Sequence, residues 1–251
     1  MFPSGSILTV GKQRPSQYWL ARAEGCGIRL YNRPDAAARR WPHVRGVNRT
    51  MYSTLIFDLS EVFISGLTGV EVTLAPRLDL PEREIFDAMF APPTPDFFCG
   101  RMTEAAWLER LIRNHGWVGV SAEELGGIMR RNFDRRVEGT ESLVRKLAGR
   151  YELAMLSDHA REWIDYIRPR HSFFSLFSHQ FFSFDLGHTK QERAAFSLTL
   201  ERLGKSADEC LFVDDLESNL RVARSVGIEG IQFRNAQQAA AALRDRGISV
   251  E

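Results

Sequence analysis

The stretch "TLIFDLSEV", residues 54–62, sets the fold. An apolar run of strand length that stops at an acid reads as a buried strand of a parallel sheet, with Asp58 delivered to the rim where the strand ends. Two residues later stands Ser60, a hydroxyl beside a carboxylate at the same strand end. From Met51 onward similar runs recur: "YELAML" at 151–156, "HQFFSF" at 179–184, "ECLFVD" at 209–214 and "GIQF" at 230–233. Helical stretches separate the last four, namely "REWIDYI", "ERAAFSLTLERLG" and "SNLRVARSVG". The second carries Phe196, Leu200 and Leu203 on one face and stops at Gly204. Alternating strands and helices predict an α/β fold, a Rossmann-like doubly wound parallel sheet.

Between the first two strands, over 66–148, the texture is helical without strands. "TEAAWLERLIRNHG" groups Trp107, Leu108, Leu111 and Ile112, while "SAEELGGIMRRNF" opens on a capping box from Ser121 to Glu124. The expectation is a small all-helical cap inserted after the first strand, with "APPTPDFFCG", 91–100, as an interhelical loop. The predicted organisation is a core of 51–65 and 149–251, a helical cap of 66–148 and a poorly ordered basic extension of 1–50.

The extension stands apart by charge. Its nine Lys and Arg face only Glu24 and Asp35, a balance of +7, so the rest of the chain carries −6 of the total +1. An acidic main domain gives no reason to expect nucleic acid as its partner. A disordered arm, an Arg-rich targeting peptide and an over-long translation start all fit residues 1–50, and the disordered arm is preferred. With 44% hydrophobic residues the 251-residue chain can bury a substantial core, yet charges interrupt every apolar run before the ~20 residues a bilayer requires. Cys26, Cys99 and Cys210 are dispersed and read as reduced structural thiols. No membrane partner and a cytoplasmic location are expected; the oligomeric state stays open.

In an open parallel sheet, functional groups gather at the carboxyl ends of the strands. Those positions hold Asp58, Ser157 and the pair Asp214 and Asp215, with Lys190 shortly after the third strand. Taken singly, each has a structural explanation as a cap, a turn or a solvated side chain. Taken together, "IFDLSEV", "MLSDH", "GHTKQE" and "FVDDLESN" resemble the four motifs of the haloacid dehalogenase superfamily. The resemblance spans roughly Met51 to Phe233 and extends to the subgroup with a helical cap after the first strand.

The resemblance implies a phosphohydrolase acting on a small phosphorylated metabolite. Asp58 would be the nucleophile and pass through an aspartyl phosphate. Mg²⁺ would be held by Asp58, the Ser60 backbone carbonyl and the acid pair, with Asp215 as the direct ligand and Asp214 beside it. Ser157 would donate to a phosphoryl oxygen and Lys190 would balance charge. Asn219 is expected to order the loop of the two acids, and Arg101 in "CGRMTE" to reach a substrate anion from the cap.

Ser60 departs from the pattern, because most family phosphatases carry there a second Asp that protonates the leaving oxygen. A serine hydroxyl cannot do so near pH 7, a loss of order ~10²–10⁴ in rate for a poor leaving group. Three accounts compete. One is a phosphatase for good leaving groups, resembling glucose-1-phosphatase-like members and including sugar 1-phosphates or acyl phosphates as substrates. Another is a metal-free haloacid dehalogenase, against which the acid pair argues. The third is an inactive binding protein that keeps the fold. A signalling receiver domain is excluded by the long helical insert and by the late position of the acid pair. Asp158 and His159 are the nearest substitutes for the missing donor, with Glu61 a further one; Asp158 is also expected at the substrate or, more simply, as the cap of the helix after it.

Overall fold

The computed structural model describes residues 52–251, so the expected basic extension, and Cys26 within it, lie outside the described residues. Five parallel strands, β1 (Thr54–Phe57), β2 (Glu152–Ser157), β3 (His179–Phe182), β4 (Cys210–Asp214) and β5 (Glu229–Gln232), form one sheet in the order β3-β2-β1-β4-β5. Every predicted strand is present, with ends shifted by no more than a residue or two.

The three central strands, β1, β2 and β4, are buried on both faces, which is why they read as continuous apolar runs, while the edge strands β3 and β5 are partly exposed. Period-two geometry sends alternate residues to opposite sides. Leu55 and Phe57 pack in one core with Leu153, Met155, Leu211 and Val213, while Ile56 packs in a second with Ala154, Leu156, Phe196 and Phe212. Helices therefore cover both faces, the doubly wound arrangement expected. Cys99 and Cys210 are free and buried, as structural thiols.

Six helices lie between β1 and β2: α1 (Val70–Leu78), α2 (Glu82–Phe90), α3 (Thr94–Phe98), α4 (Glu104–His115), α5 (Ala122–Phe133) and α6 (Thr140–Leu147). The Ser121–Glu124 capping box is formed at the start of α5. The expected loop of 91–100 contains α3, which corrects the sequence reading. Pro95 in its first turn costs no hydrogen bond there, and burial of Phe97 and Phe98 holds the turn in place. After β2 come α7 (Arg161–Ile167), α8 (Ser183–Leu186), α9 (Arg193–Leu203), α10 (Glu217–Ser225) and α11 (Ala236–Arg244).

An aromatic cluster joins the insert to the sheet domain. Trp163 of α7 meets Phe97, Phe98, Trp107 and Phe133 at centroid distances of 5.0–5.7 Å. Its indole N–H donates to Glu104 at 2.9 Å, and Glu104 also pairs with Arg130. Among the described residues no helix is long and apolar enough to cross a membrane.

Candidate active site

The strand order reverses between β1 and β4, since β2 and β3 continue on one side of β1 and β5 on the other. Such a switch point opens a crevice at the carboxyl end of the sheet. Phe57 pairs in register with Val213, so the next residues, Asp58 and Asp214, emerge side by side. The Asp58 N–H extends the ladder by donating to Val213 O at 2.9 Å. One carboxylate oxygen from each of Asp58, Asp214 and Asp215 can be chosen so that all three lie within 4.8 Å of one another.

Lys190 sits among them, 2% exposed. Its Nζ is 2.7 Å from Asp58 Oδ1 and 2.7 Å from Asp214 Oδ2. Burial works against the ammonium, but Asp214, Asp58 and Asp158 outweigh it and hold the pKa well above the ordinary lysine value. Asp58 Oδ1 also accepts the Leu59 N–H at 2.7 Å, which leaves Oδ2 for an incoming group. Burial pushes the Asp58 carboxyl up to about 7 against the pull of Lys190, with Asp214 adding to the rise.

Asp214 and Asp215 have different surroundings. Asp214 Oδ1 accepts from Leu216 N and Asn219 Nδ2, and Oδ2 from Lys190 Nζ and Asn219 Nδ2, at 2.7–3.1 Å. A carboxylate offers about four lone-pair positions, and these contacts engage them. Asn219, itself held by Gln191 Nε2 at 2.6 Å, thus orders the acid directly. The Asp215 carboxylate accepts no hydrogen bond from the described residues. Burial, then Asp214 and Asp58, drive its pKa well above the usual range. Four carboxyl groups, counting Asp158, face a single ammonium, a surplus of acidic groups that offers hard oxygen donors.

Ser157, at the end of β2, is 1% exposed, and its hydroxyl has no partner among the described residues. Buried polar groups are rarely left unpaired, so this hydroxyl is poised for a group that enters the crevice.

The structure revises two assignments. Asp158 caps no helix: Ala160 occupies the N-cap of α7, and both Asp158 oxygens accept the Lys190 N–H at 3.0 and 3.1 Å. It supports the backbone of the lysine loop. Arg101 does not converge on the site. It is exposed, paired with Asp96 at 2.9 Å and bonded to Gly187 O at 3.1 Å, so it ties the helical insert to the lysine loop. Glu61 accepts from Gly66 N at 2.8 Å, a contact within the turn that follows Ser60.

Ser60 does have a partner, for its Oγ lies 2.9 Å from His159 Nε2. His159 is buried, and burial followed by the charge of Lys190 lowers its pKa to about 3. Gly66 makes the arrangement possible, because a Cβ there would stand 2.8 Å from Ser60 Cβ. Three contributors went unrecognised in the sequence: Gly66, Gln191 and Ser183, which accepts the His159 N–H at 3.1 Å. Only Gly66 left a local signal, as a glycine between Ser65 and Leu67 just after the first strand.

A doubly wound sheet with an Asp at its central strand end, a Lys on a neighbouring loop and an acid pair at the switch point defines a class of hydrolytic α/β enzymes. The model of the haloacid dehalogenase-like hydrolases matches residues 52–227, and the chain belongs to that family. It is 28% identical over 145 residues to flavin mononucleotide hydrolase 1 of Arabidopsis thaliana, a protein named as chloroplastic. That match covers 57% of this chain and 58% of the relative's length.

Solved structures agree in fold. A HAD family enzyme of Bacteroides thetaiotaomicron, in complex with magnesium and inorganic phosphate, superposes with a TM-score of 0.60 at 19% identity, over 73% of this chain and 95% of that one. A HAD-like family hydrolase of Porphyromonas gingivalis gives 0.64 at 19% identity, over 78% and 97%. The L-2-haloacid dehalogenase of Xanthobacter autotrophicus gives 0.57 at 16%, over 79% and 85%.

Proposed function

We propose that the protein is a phosphohydrolase that removes phosphate from a small phosphorylated metabolite through a phosphoryl group carried on Asp58. The observation that supports this most is the grouping of Asp58, Lys190 and the acid pair at the same end of the sheet as the partnerless Ser157 hydroxyl of the neighbouring strand. Asp58 Oδ2 attacks phosphorus, and the bond to the leaving oxygen breaks with its electron pair on that oxygen. Water then attacks the aspartyl phosphate, releasing inorganic phosphate and restoring the carboxylate. Ser157 donates to a phosphoryl oxygen, and Lys190 offsets charge on the nucleophile and the group in transfer.

The donor set fits Mg²⁺, a hard cation, which would be held by Asp58 and Asp215, with the Ser60 carbonyl as a further oxygen and Asp214 beside them, already saturated by its own hydrogen bonds. When bound, the cation supplies charge neutralisation at the phosphoryl group. The surplus of acidic groups supports the assignment. A metal-free haloacid dehalogenase, attacking neutral carbon, has no use for that surplus.

Residues 66–148 act as the cap of the subgroup with an insert after the first strand, and a resemblance to glucose-1-phosphatase-like members agrees with the lack of a second acid at Ser60. The test is phosphate release from sugar phosphates, acyl phosphates and nucleotides, with flavin mononucleotide included because of the Arabidopsis relative, each with and without Mg²⁺. Mg²⁺-dependent release from one class is the expected result. Halide release from a haloacid, or turnover unaffected by chelation, contradicts the proposal. A protein that hydrolyses nothing and takes up neither Mg²⁺ nor beryllium fluoride is the binding protein instead.

A further inference from the structure

Ser60 and His159 come from the first and second strand ends, and their contact at 2.9 Å is built rather than incidental. The His159 backbone N–H donates to Ser183 Oγ, whose hydroxyl donates to Phe98 O at 2.7 Å, pinning the residue between the β3–α8 corner and α3. The ring is walled by Phe133 and Trp163, each with its centroid 5.8 Å away and steeply inclined. It is 2% exposed, and its Nδ1 has no partner among the described residues.

A neutral imidazole carries one N–H. Were it on Nδ1, a donor would be buried with nothing to accept it, the rarer and costlier kind of orphan. On Nε2 it is satisfied by Ser60 Oγ, and Nδ1 keeps only a lone pair among aromatic rings. We infer that His159 is a positioning residue whose Nε2–H donates to Ser60 Oγ, which frees the single O–H of Ser60 to donate to the oxygen that leaves phosphorus.

This rests on the phosphohydrolase proposal and deepens it. Ser60 is partly exposed and two residues beyond Asp58, whereas His159 is closed off from solvent. The serine is therefore the group a substrate meets, and the histidine acts through it. No proton transfer is required of either residue. The bond to phosphorus breaks with its electron pair on the leaving oxygen, the Ser60 hydrogen bond stabilises the developing charge, and water supplies the proton on release. The missing acid is replaced by an aimed dipole, which suffices for leaving groups that tolerate negative charge and matters most where that charge is least tolerated.

Two measurements test this. The ¹⁵N and ¹H NMR signals of the His159 ring in the wild-type protein report its tautomer without any turnover. An Nε2–H neutral ring is expected, and an Nδ1–H ring overturns the inference. In the Mg²⁺-loaded enzyme, kcat and KM are measured over aryl phosphates graded by leaving-group pKa. His159→Phe, which fills the aromatic slot without a donor, and Ser60→Ala should each lower kcat about tenfold to a hundredfold on the poorest leaving group and little on the best. The double variant should be no slower than either. His159→Gln, whose amide N–H can stand in for Nε2, should recover most of the loss. Equal losses across all leaving groups, or a His159→Gln enzyme as slow as His159→Phe, overturn the positioning role. If no phosphate ester is turned over, the proposed function fails, while the tautomer still decides the arrangement of the pair.

Discussion

Lys190 Nζ lies 2.7 Å from Asp58 Oδ1, with both side chains nearly sealed from solvent. The contact joins a loop after the third strand to the end of the first, and it holds the reactive carboxylate in one orientation.

Removing the lysine charge should be costly in stability as well as rate. Lys190→Met leaves Asp58 and Asp214 buried side by side without their shared cation. Breaking a buried pair in this way costs about 3–5 kcal/mol. Urea denaturation should register that loss, and Lys190→Met combined with Asp214→Asn should recover part of it. Phosphatase activity should be absent from both variants.

Asp58 predicts a pH signature in metal-free buffer. Its carboxyl stands at about 7 in the folded protein against 3.8 for the ordinary group. Its contribution to stability is therefore fully present below about pH 3.8 and lost as pH rises through about 7. Asp58→Asn removes the titration. The stability of the wild type relative to that variant should fall between about pH 4 and pH 7 and level off above, by roughly 1.4 kcal/mol per pH unit at most. A difference that is flat with pH would show that the carboxylate is not strained by burial.

Divalent metal should reverse that strain. At about a hundred times its Kd, Mg²⁺ should stabilise the folded chain by about 2.7 kcal/mol, a rise in Tm of about 5–10 °C. Asp215→Asn removes the carboxylate that accepts no hydrogen bond from the described residues and should abolish the shift. Differential scanning fluorimetry with Mg²⁺ titrated at about pH 8, above the Asp58 titration, reads both.

Ser60→Asp should restore an acid at the position where family phosphatases carry one. The slope of log kcat against leaving-group pKa should become shallower, with alkyl phosphates gaining most, up to ~10²-fold. An unchanged slope would mean that leaving-group stabilisation does not come from position 60.

Much of the fold was legible because each element carries its own local signal. The strands announce themselves as short apolar runs ending in Asp58, Ser157 or Asp214, and both-face burial is the reason those runs are unbroken. The Ser121 capping box is a three-residue interval and needs no tertiary context. Helix α3 was read otherwise, because prolines that look like breakers are compatible with a first turn, and burial of Phe97 and Phe98 provides the rest.

The site was legible as a set of residue types and not as a set of partners. The sequence alone placed Asp58, Ser157 and the acid pair at strand ends and Lys190 shortly after the third strand, because parallel strands bring their carboxyl ends to one rim. Only the tertiary structure decided that Asp158 holds the backbone of Lys190, that Arg101 faces Asp96 and Gly187, and that Ser60 meets His159. Periodicity reports which face a residue occupies, because that depends on the local backbone. Hydrogen-bond partners 32 or 99 residues apart are chosen by packing, as the burial of Phe133 and Trp163 around one imidazole leaves Ser60 the sole partner of its ring nitrogens among the described residues.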